Sequence, residues 1–534
     1  MTDATSFRWW QQGIIYQIYP RSFCDTNADG VGDLPGILKK LDYLKWLGVH
    51  AVWISPVYPS PMADFGYDIS DYTNIDSVFG TLQDFDRLLD AAHDRGIKVI
   101  VDLVPNHTSH LHPWFVSSRS SRRSPKRNWY IWRDPGPDGG PPNNWLSNFG
   151  GSAWTFDALT GQYYYHAYLA AQPDLNWRHK DVQEAMHNVM RFWLDRGVDG
   201  FRVDVIWHLV KDDRFRDNPP NRAYKPGEWP YKKLLATYTT DRPEVHDIIA
   251  GMRAVIDEYE DRLMIGEIYL PIERLVTYYG VAGDGCHLPF NFQLISISWN
   301  GLAIGSTIDA YEAALPPHGW PNWVLGNHDK SRIATRLGAK QARVAAMLLL
   351  TLRGTPTLYY GDELGMEDAA IPPEMLKDPW ERNVPGLGLG RDPVRTPMQW
   401  NDSPHAGFSQ VSPWLPVASD YRQRNVAGAQ TDPYSLLSLY RALIGLRQTE
   451  PALNVGTFRR LEATTEVFSY IRQAGPRCFL IALNLSGKPA KVTYAESSIR
   501  GIICLSTCLD RDEERFDKQI ELRPDEGIIG LLTN

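Results

Sequence analysis

The sequence predicts an α/β protein. Eight parallel strands and their helices close into a (β/α)8, or TIM, barrel, with an insertion after the third strand and a small antiparallel β-domain at the C-terminal end. Three observations support this. Short apolar runs alternate with amphipathic stretches eight times, the pattern of a parallel sheet with crossover helices. The alternation stops over residues 108–177, which are rich in Pro, Gly, Ser and Trp, and then resumes. Beyond about residue 455 the helical periods give way to short strand-like runs separated by turns. A doubly wound sheet is the runner-up, but it usually holds fewer strands. The barrel then occupies residues 1–107 and 178–454, the insertion 108–177, and the terminal domain 455–534.

The elements follow in order. GIIYQIYP (13–20) is apolar and β-branched, and reads as the first strand. DLPGILKKLDYLKWLG (33–48) repeats Leu and Ile at helical spacing and stops at Gly48, a residue suited to a C-cap. AVWISP (51–56) is the second strand, LQDFDRLLDAAHDRG (82–96) a helix, and IKVIVDLVPNH (97–107) the third strand. Within the insertion only short pieces such as QYYYHAYL look extended. Helix 180–197 leads to strand 200–206, and helix 243–260 to RLMIGEIY. PIERLVTYYG precedes LPFNFQLI (288–295), and STIDAYEAAL precedes NWVLGNHD (322–329). Helix 331–353 leads to TPTLYYGDEL (355–364); an irregular stretch, 366–433, separates it from helix 435–453. EVFSYIRQ, RCFLIALNL, AKVTYAE and EGIIGLLTN supply strands of the terminal domain.

Composition narrows the function. The chain has 534 residues and 43% hydrophobic content, enough for a large core. A net charge of -8 and a pI near 6.0, with no basic stripe, argue against nucleic acid or an anionic membrane as partner. No apolar run reaches the roughly 18 residues of a membrane span. The N-terminal MTDATSFRWWQQG has no apolar h-region, so no signal peptide is expected. Five scattered cysteines (Cys24, Cys286, Cys478, Cys504 and Cys508) with no CxxC fit a reducing, cytoplasmic setting. In that setting the sequons at Asn106 and Asn484 carry no glycan. The 19 Trp suit sugar stacking and core filling equally. Monomer and dimer both stay open.

In such a barrel the chemistry sits at the C-terminal ends of the strands. Those ends offer Asn106 and His107 after strand 3, Arg202 and Asp204 on strand 4, Glu267 on strand 5, and His328 and Asp329 on strand 7. A single charge there is as readily a structural ion pair; three carboxylates, two histidines and an arginine on one rim are hard to explain as packing. Two carboxylates suffice to cleave a glycosidic bond, one as nucleophile and one as acid/base. Arg202, two residues from Asp204 on one strand face, favours its charged form. Glu267 lies in an apolar run, which suits a carboxylic acid to proton donation. Asp329, His107 and His328 are suited to holding sugar hydroxyls. A catalytic zinc is the competing reading, but no HExxH or close His pair is present.

DTNADGVGD (25–33) has the first nine positions of an EF-hand-like loop. Asp25, Asn27 and Asp29 stand at positions 1, 3 and 5, Gly30 at 6, the Val31 carbonyl at 7 and Asp33 at 9. Gly36 replaces the bidentate Glu, so a structural Ca2+ (or Mg2+) is expected outside an EF-hand. The alternative is a polar turn in which Asp33 caps a helix. GLGLGRD (386–392) follows no strand, so it is no nucleotide loop, and no organic cofactor is expected.

Taken together, DLVPNHTS, GFRVDVIWH, GEIY and GNHD resemble the four main motifs of the α-amylase family of glycoside hydrolases, in order and over nearly the whole chain. QPDLNW (172–177) and GTPTLYYGDELG (354–365) resemble two further motifs. The resemblance implies Asp204 as nucleophile, Glu267 as acid/base and Asp329 as transition-state stabiliser. It places Arg202, His107 and His328 at substrate-binding positions, and makes residues 108–177 an inserted domain B. QPDLN (with Gln172), FGYDISDY (65–72) and RTPMQW (395–400) resemble the oligo-1,6-glucosidase and α-glucosidase subgroup. In that subgroup an aspartate and an arginine clamp the non-reducing glucose and make the enzyme exo-acting; the matching positions are Asp68 and Arg395. Tyr67 matches a stacking position, Phe149 the acceptor side, and Asp25 to Asp33 the subgroup's metal loop. Val205, after the nucleophile, resembles α-1,6-acting members, whereas FGGSAW and FRDNPP resemble α-1,4-acting ones, so the linkage stays open. The expectation is a retaining α-glucosidase acting on small α-glucosides. The alternatives are an α-glucosyltransferase or a sucrose/trehalulose-type sugar isomerase using the same glucosyl intermediate and, remotely, a non-catalytic scaffold like the amylase-like heavy chains of amino-acid transporters.

Overall fold

The computed structural model describes residues 7–496 and 498–533. Residues 1–6, part of the segment expected to hold no leader, lie outside the described residues. The barrel strands are β1 (Ile15–Ile18), β2 (Ala51–Ile54), β3 (Lys98–Leu103), β4 (Gly200–Val203), β5 (Leu263–Gly266), β6 (Leu288–Pro289), β7 (Asn322–Val324) and β8 (Thr355–Tyr359). They pair in parallel in the order β7-β8-β1-β2-β3-β4-β5-β6. A parallel bridge between Asn291 and Trp323 joins β6 back to β7 and closes the barrel.

Period-two alternation sends the apolar side chains of each strand to two buried faces. Ile15, Ala51, Trp53, Ile100, Leu263, Ile265, Leu288 and Val324 form the inner core. Their neighbours, among them Tyr16, Val52, Val101, Phe201, Met264 and Leu358, join the larger core beneath the helices. Polar side chains enter the barrel near its C-terminal end, where Asp102 on β3 and Arg202 on β4 are register partners and both fully buried.

Three elements differ from the sequence reading. The predicted helix 33–48 is two, Leu34–Lys39 and Leu41–Leu47, broken where Lys40 leaves helical geometry. Helix 331–353 is likewise split by Gly338 at φ 81° into Ile333–Leu337 and Ala339–Thr351. The run 288–295 is a strand only over Leu288–Pro289, with a single further bridge at Asn291, because the Asn291 side chain accepts the Gln293 amide at 3.0 Å and turns the chain into a helix, Gln293–Ser296.

Between β3 and β4 the excursion folds into a three-stranded antiparallel sheet of Trp132–Arg133, Gln162–Tyr165 and Trp154–Asp157. Trp145, Trp154 and Tyr165 give it a core of its own. A buried Lys211–Asp174 ion pair, with Lys211 also 2.8 Å from the Asn106 side chain, bolts it to the barrel. The C-terminal residues form a six-stranded antiparallel sheet that includes Val467–Ala474, Arg477–Asn484 and Gly527–Leu532, and a two-stranded ribbon of Ala490–Thr493 with Gln519–Leu522. All five cysteines are free. Among the described residues no helix is long and apolar enough to cross a membrane.

The barrel and the terminal sheet meet over two fully buried arginines. Arg447 donates to the carbonyls of Leu350, Leu352 and Gly354 where helix Ala339–Thr351 ends. Arg472 donates to Thr351, Leu453, Asn454 and Gly456. The guanidinium groups thus satisfy carbonyls that no backbone amide reaches at a helix end, where the dipole also favours a cation. Arg472→Met removes these donors and leaves carbonyls buried. We expect a loss of about 2–4 kcal/mol, read as a lower urea midpoint. An unchanged midpoint refutes this account of the junction.

Candidate active site

Arg202 organises the C-terminal end of the barrel. Its Nη1 lies 2.7 Å from Asp102 Oδ1 and 2.8 Å from Asp204 Oδ1, and its Nη2 lies 2.8 Å from Glu267 Oε2. Trp53 lies beneath the guanidinium, 4.8 Å to the ring, and donates its indole N–H to Asp102 at 2.9 Å. One cation therefore faces three carboxylates, two of which point into a cavity.

The chain just beyond β4 is strained. Val205 adopts φ 39°, ψ 43°, a left-handed conformation that costs a β-branched residue about 1–3 kcal/mol. The turn directs the Val205 amide to Glu267 Oε2 at 3.0 Å. It thereby ties the end of β4 to the end of β5 and fixes the two carboxylates relative to each other.

These groups open into a cavity of about 430 Å³. Asp204, Glu267 and Asp329 line it, together with Tyr67, His107, Phe149 and Val205. Of the other expected residues, Arg202 lies beneath the carboxylates, and His328 stacks on Tyr67 at 5.4 Å with 2.8 Å between the tyrosine OH and Nε2. Gln172 Nε2 lies 3.2 Å from both Asp64 Oδ2 and His107 Nε2 and holds them from behind.

The expected clamp needs correcting. Asp68 and Arg395 do not meet at the cavity. Asp68 accepts from Ser60 Oγ and from the amides of Ala63 and Asp64, so it shapes the loop. Arg395 binds Asp329 Oδ1 at 2.7 Å and the His328 carbonyl at 2.9 Å. The pair that closes the cavity is Asp64 and Arg391, with Nη2 to Oδ1 at 2.6 Å. Asp378 holds Arg391 from the other side at 2.7 Å. Each aspartate stands four residues from the other in one irregular loop, and each arginine four from the other in a second. With no regular periodicity, the sequence offers no basis for choosing between them.

The electrostatics also correct one expectation. Burial raises the Asp204 carboxyl well above its ordinary value; Arg202 opposes this, while Glu267, Asp102 and Asp329 add to it. Arg202 was expected to keep Asp204 charged, but its single charge is shared among three carboxylates. Asp329 goes the other way: burial opposes its ionisation, yet His328, Arg391 and Arg395 hold it well below the usual carboxylate range. Burial brings the His107 ring down to about 4, so it is neutral near pH 7.

The outer half of the cavity is aromatic. Tyr168, Trp207, Trp229, Tyr231, Tyr269 and Trp380 line it, and none was singled out from the sequence. Trp229 donates to the Asn148 carbonyl at 2.8 Å, and Trp380 packs against both Trp229 and Phe149. These aromatics come from loops and single-turn helices (Ile206–His208, Pro230–Lys233 and Pro379–Asn383), where no spacing distinguishes a binding ring from a packing one.

The loop of residues 25–33 is a series of Asx turns. Asp25 Oδ1 accepts the Asn27 amide at 3.1 Å, Asn27 Oδ1 the Asp29 amide at 3.0 Å, and Asp29 Oδ1 the Val31 amide at 2.8 Å. This repeat of side-chain-to-amide bonds fixes the turn. Gly30, at φ 86°, donates to Asp25 Oδ2 at 2.9 Å, and a Cβ there would strike the Ser412 carbonyl. Asp33 also caps helix Leu34–Lys39 through the Gly36 amide, so the helix-cap reading and the donor set coexist. The hard oxygen donors fit Ca2+ or Mg2+.

Comparison with known proteins agrees with this geometry. A probable alpha-glucosidase of Rhizobium meliloti (strain 1021) is 42% identical over 497 residues, covering 90% of each chain. An oligo-1,6-glucosidase of Halalkalibacterium halodurans is 38% identical over 571 residues, covering 99% of this chain and 100% of the relative. The crystal structure of the alpha-glucosyl transfer enzyme XgtA matches with a TM-score of 0.93 at 40% identity, covering 99% of this chain and 100% of its own. Residues 17–456 match the alpha amylase catalytic domain, and the chain belongs to the alpha-amylase family.

Proposed function

We propose that the protein is an exo-acting, retaining α-glucosidase that removes the terminal non-reducing glucose from short α-glucosides such as maltose, isomaltose or sucrose. The observation behind this is one buried guanidinium bridging Asp204 and Glu267 at the floor of a cavity closed by Asp64 and Arg391. That bridge favours the short carboxylate separation of a retaining pair, about 5–5.5 Å, over the wider one of an inverting pair. The names of the relatives support the same substrate class.

The chemistry runs in two displacements. The Asp204 carboxylate attacks the anomeric carbon while Glu267 gives its proton to the departing glycosidic oxygen. Glu267 then takes a proton from water, whose oxygen attacks the anomeric carbon and frees Asp204. Asp329, held charged by Arg391 and Arg395, grips the glucose hydroxyls. Asp64 and Arg391 bind the far side of the glucose and leave no room for a further sugar. Tyr67 offers its face, and neutral His107 a hydrogen bond.

A second reading keeps the intermediate but replaces water with a sugar acceptor. The aromatic outer half and the similarity to an alpha-glucosyl transfer enzyme favour it as a side activity. Free cysteines throughout fit a cytoplasmic location. The residue 25–33 loop is proposed to hold a structural Ca2+ or Mg2+ through Asp25, Asn27, Asp29, the Val31 carbonyl and Asp33.

Four measurements test these proposals. Product analysis on maltose, isomaltose, sucrose and trehalose should show glucose from at least one of the first three. Asp204→Ala should lower that activity by at least about four orders of magnitude with unchanged circular dichroism. Normal turnover by the variant eliminates Asp204 as nucleophile. In the pH profile of kcat/KM, activity falls as Asp204 gains its proton on acidification. Because burial raises that carboxyl, the acid limb should lie well above the ordinary carboxylate value near 4. A limb at or below 4 contradicts the electrostatics. Chelation should lower the melting temperature by a few degrees, with Ca2+ restoring it. Asp29→Ala, at an exposed position, should abolish the chelator effect; a chelator effect that persists in it locates the metal elsewhere.

A further inference from the structure

Lys330 follows Asp329 on the loop after β7 and lines the cavity. Among the described lining residues it is the one charged side chain besides the carboxylates and Arg391. Its ammonium sits 4.6 Å over the ring of Tyr269. That ring is itself fixed, stacked on Phe292 at 4.3 Å and edge-packed on Trp207 at 5.6 Å. The Asn327 carbonyl accepts the Lys330 amide at 3.4 Å, and the Asn327 side chain accepts the Asp329 amide at 3.0 Å. Stem and head of Lys330 are therefore placed by the same turn that presents Asp329.

Among the described residues no carboxylate lies at ion-pair distance from this ammonium and no hydrogen-bond acceptor reaches it. A lysine head has three N–H donors, and a cation–π contact engages its charge while consuming none of them. Asp329 and Glu267 line the same cavity and are the carboxylates that act on it most strongly. The ammonium packs on Tyr269 in the aromatic half, and Asp64 and Arg391 close the glucose side, so it faces the leaving-group side of the scissile bond. The surrounding rings of Trp207, Trp229, Tyr231 and Tyr269 suit the apolar faces of a sugar, but supply few donors for its hydroxyls.

On the proposed α-glucosidase reading, we propose that Lys330 is a specificity-determining residue: its ammonium donates hydrogen bonds to hydroxyl oxygens of the leaving-group sugar, or of a sugar acceptor, and so selects disaccharides over glucosides with apolar aglycones. A p-nitrophenyl aglycone packs against the same rings but offers no hydroxyl there. It measures the glucose side and the chemistry without the Lys330 contact.

The experiment compares kcat/KM for the preferred disaccharide and for p-nitrophenyl α-glucoside in the wild type, Lys330→Met and Lys330→Arg. Lys330→Met keeps the stem length and removes the donors. The ratio of disaccharide to aryl-glucoside activity should fall tenfold or more, mostly through KM, and Lys330→Arg should recover part of it. The fraction of product formed by transfer to glucose should fall in parallel. An equal loss on both substrates would show that Lys330 acts on the centre as a whole and would overturn the proposal, as would an unchanged ratio. If the wild type cleaves neither substrate, the glucosidase reading fails instead, and the two failures are distinct.

Discussion

The structure depends on the burial of one charge. Arg202 lies inside the barrel with no exposed surface, and its guanidinium is the point on which Asp102, Asp204 and Glu267 converge. Taking a cation into such an interior costs several kcal/mol unless partners replace its water. Asp102 replaces part of it, and burial still raises that carboxyl to about 6 against the pull of Arg202. The arrangement is stable only because three adjacent strands, β3, β4 and β5, deliver their partners to one point in register. A slip of one residue would turn Arg202 out of the barrel and leave the carboxylates unpaired.

Around this centre the cavity divides by chemistry. One half is ionic and closed, with Asp64, Arg391 and Asp378 in a chain of ion pairs. The other half is aromatic and built from loops. The ionic half fixes one sugar through directional bonds, and the aromatic half tolerates different partners through faces. Such a division suits an enzyme that always transfers the same group and varies in what the group is bonded to.

The sequence made this centre legible where strands carry it. Asp204, Glu267 and Asp329 stand at or just past the ends of apolar runs, so burial itself marks them as unusual. The clamp was legible as a type but not by position. Its members lie in loops, and Asp64 against Asp68, or Arg391 against Arg395, differ only in how the loop turns. Trp229 and Trp380 were not legible at all, since a tryptophan in a loop or a five-residue helix carries no periodic signal. The barrel was read through its alternation, and the misread breaks fall where single residues, Gly338 and Asn291, decide the local geometry. Nothing in the sequence showed that Arg202 would be shared three ways, because sharing depends on β3 and β5 as much as on β4.

The clamp joins parts of the chain that are far apart in sequence. Asp64 and Arg391 are 327 positions apart, and the bolt from Asn106 to Lys211 spans 105. During synthesis on a ribosome the chain emerges from its N-terminal end, so β1 waits for β8 and Asp64 waits for Arg391. A nascent or truncated chain ending before residue 391 has its nucleophile and acid/base but no closed end to its pocket. The glucose-binding half is thus completed only after the catalytic carboxylates have emerged, and a fragment that ends before Arg391 lacks it.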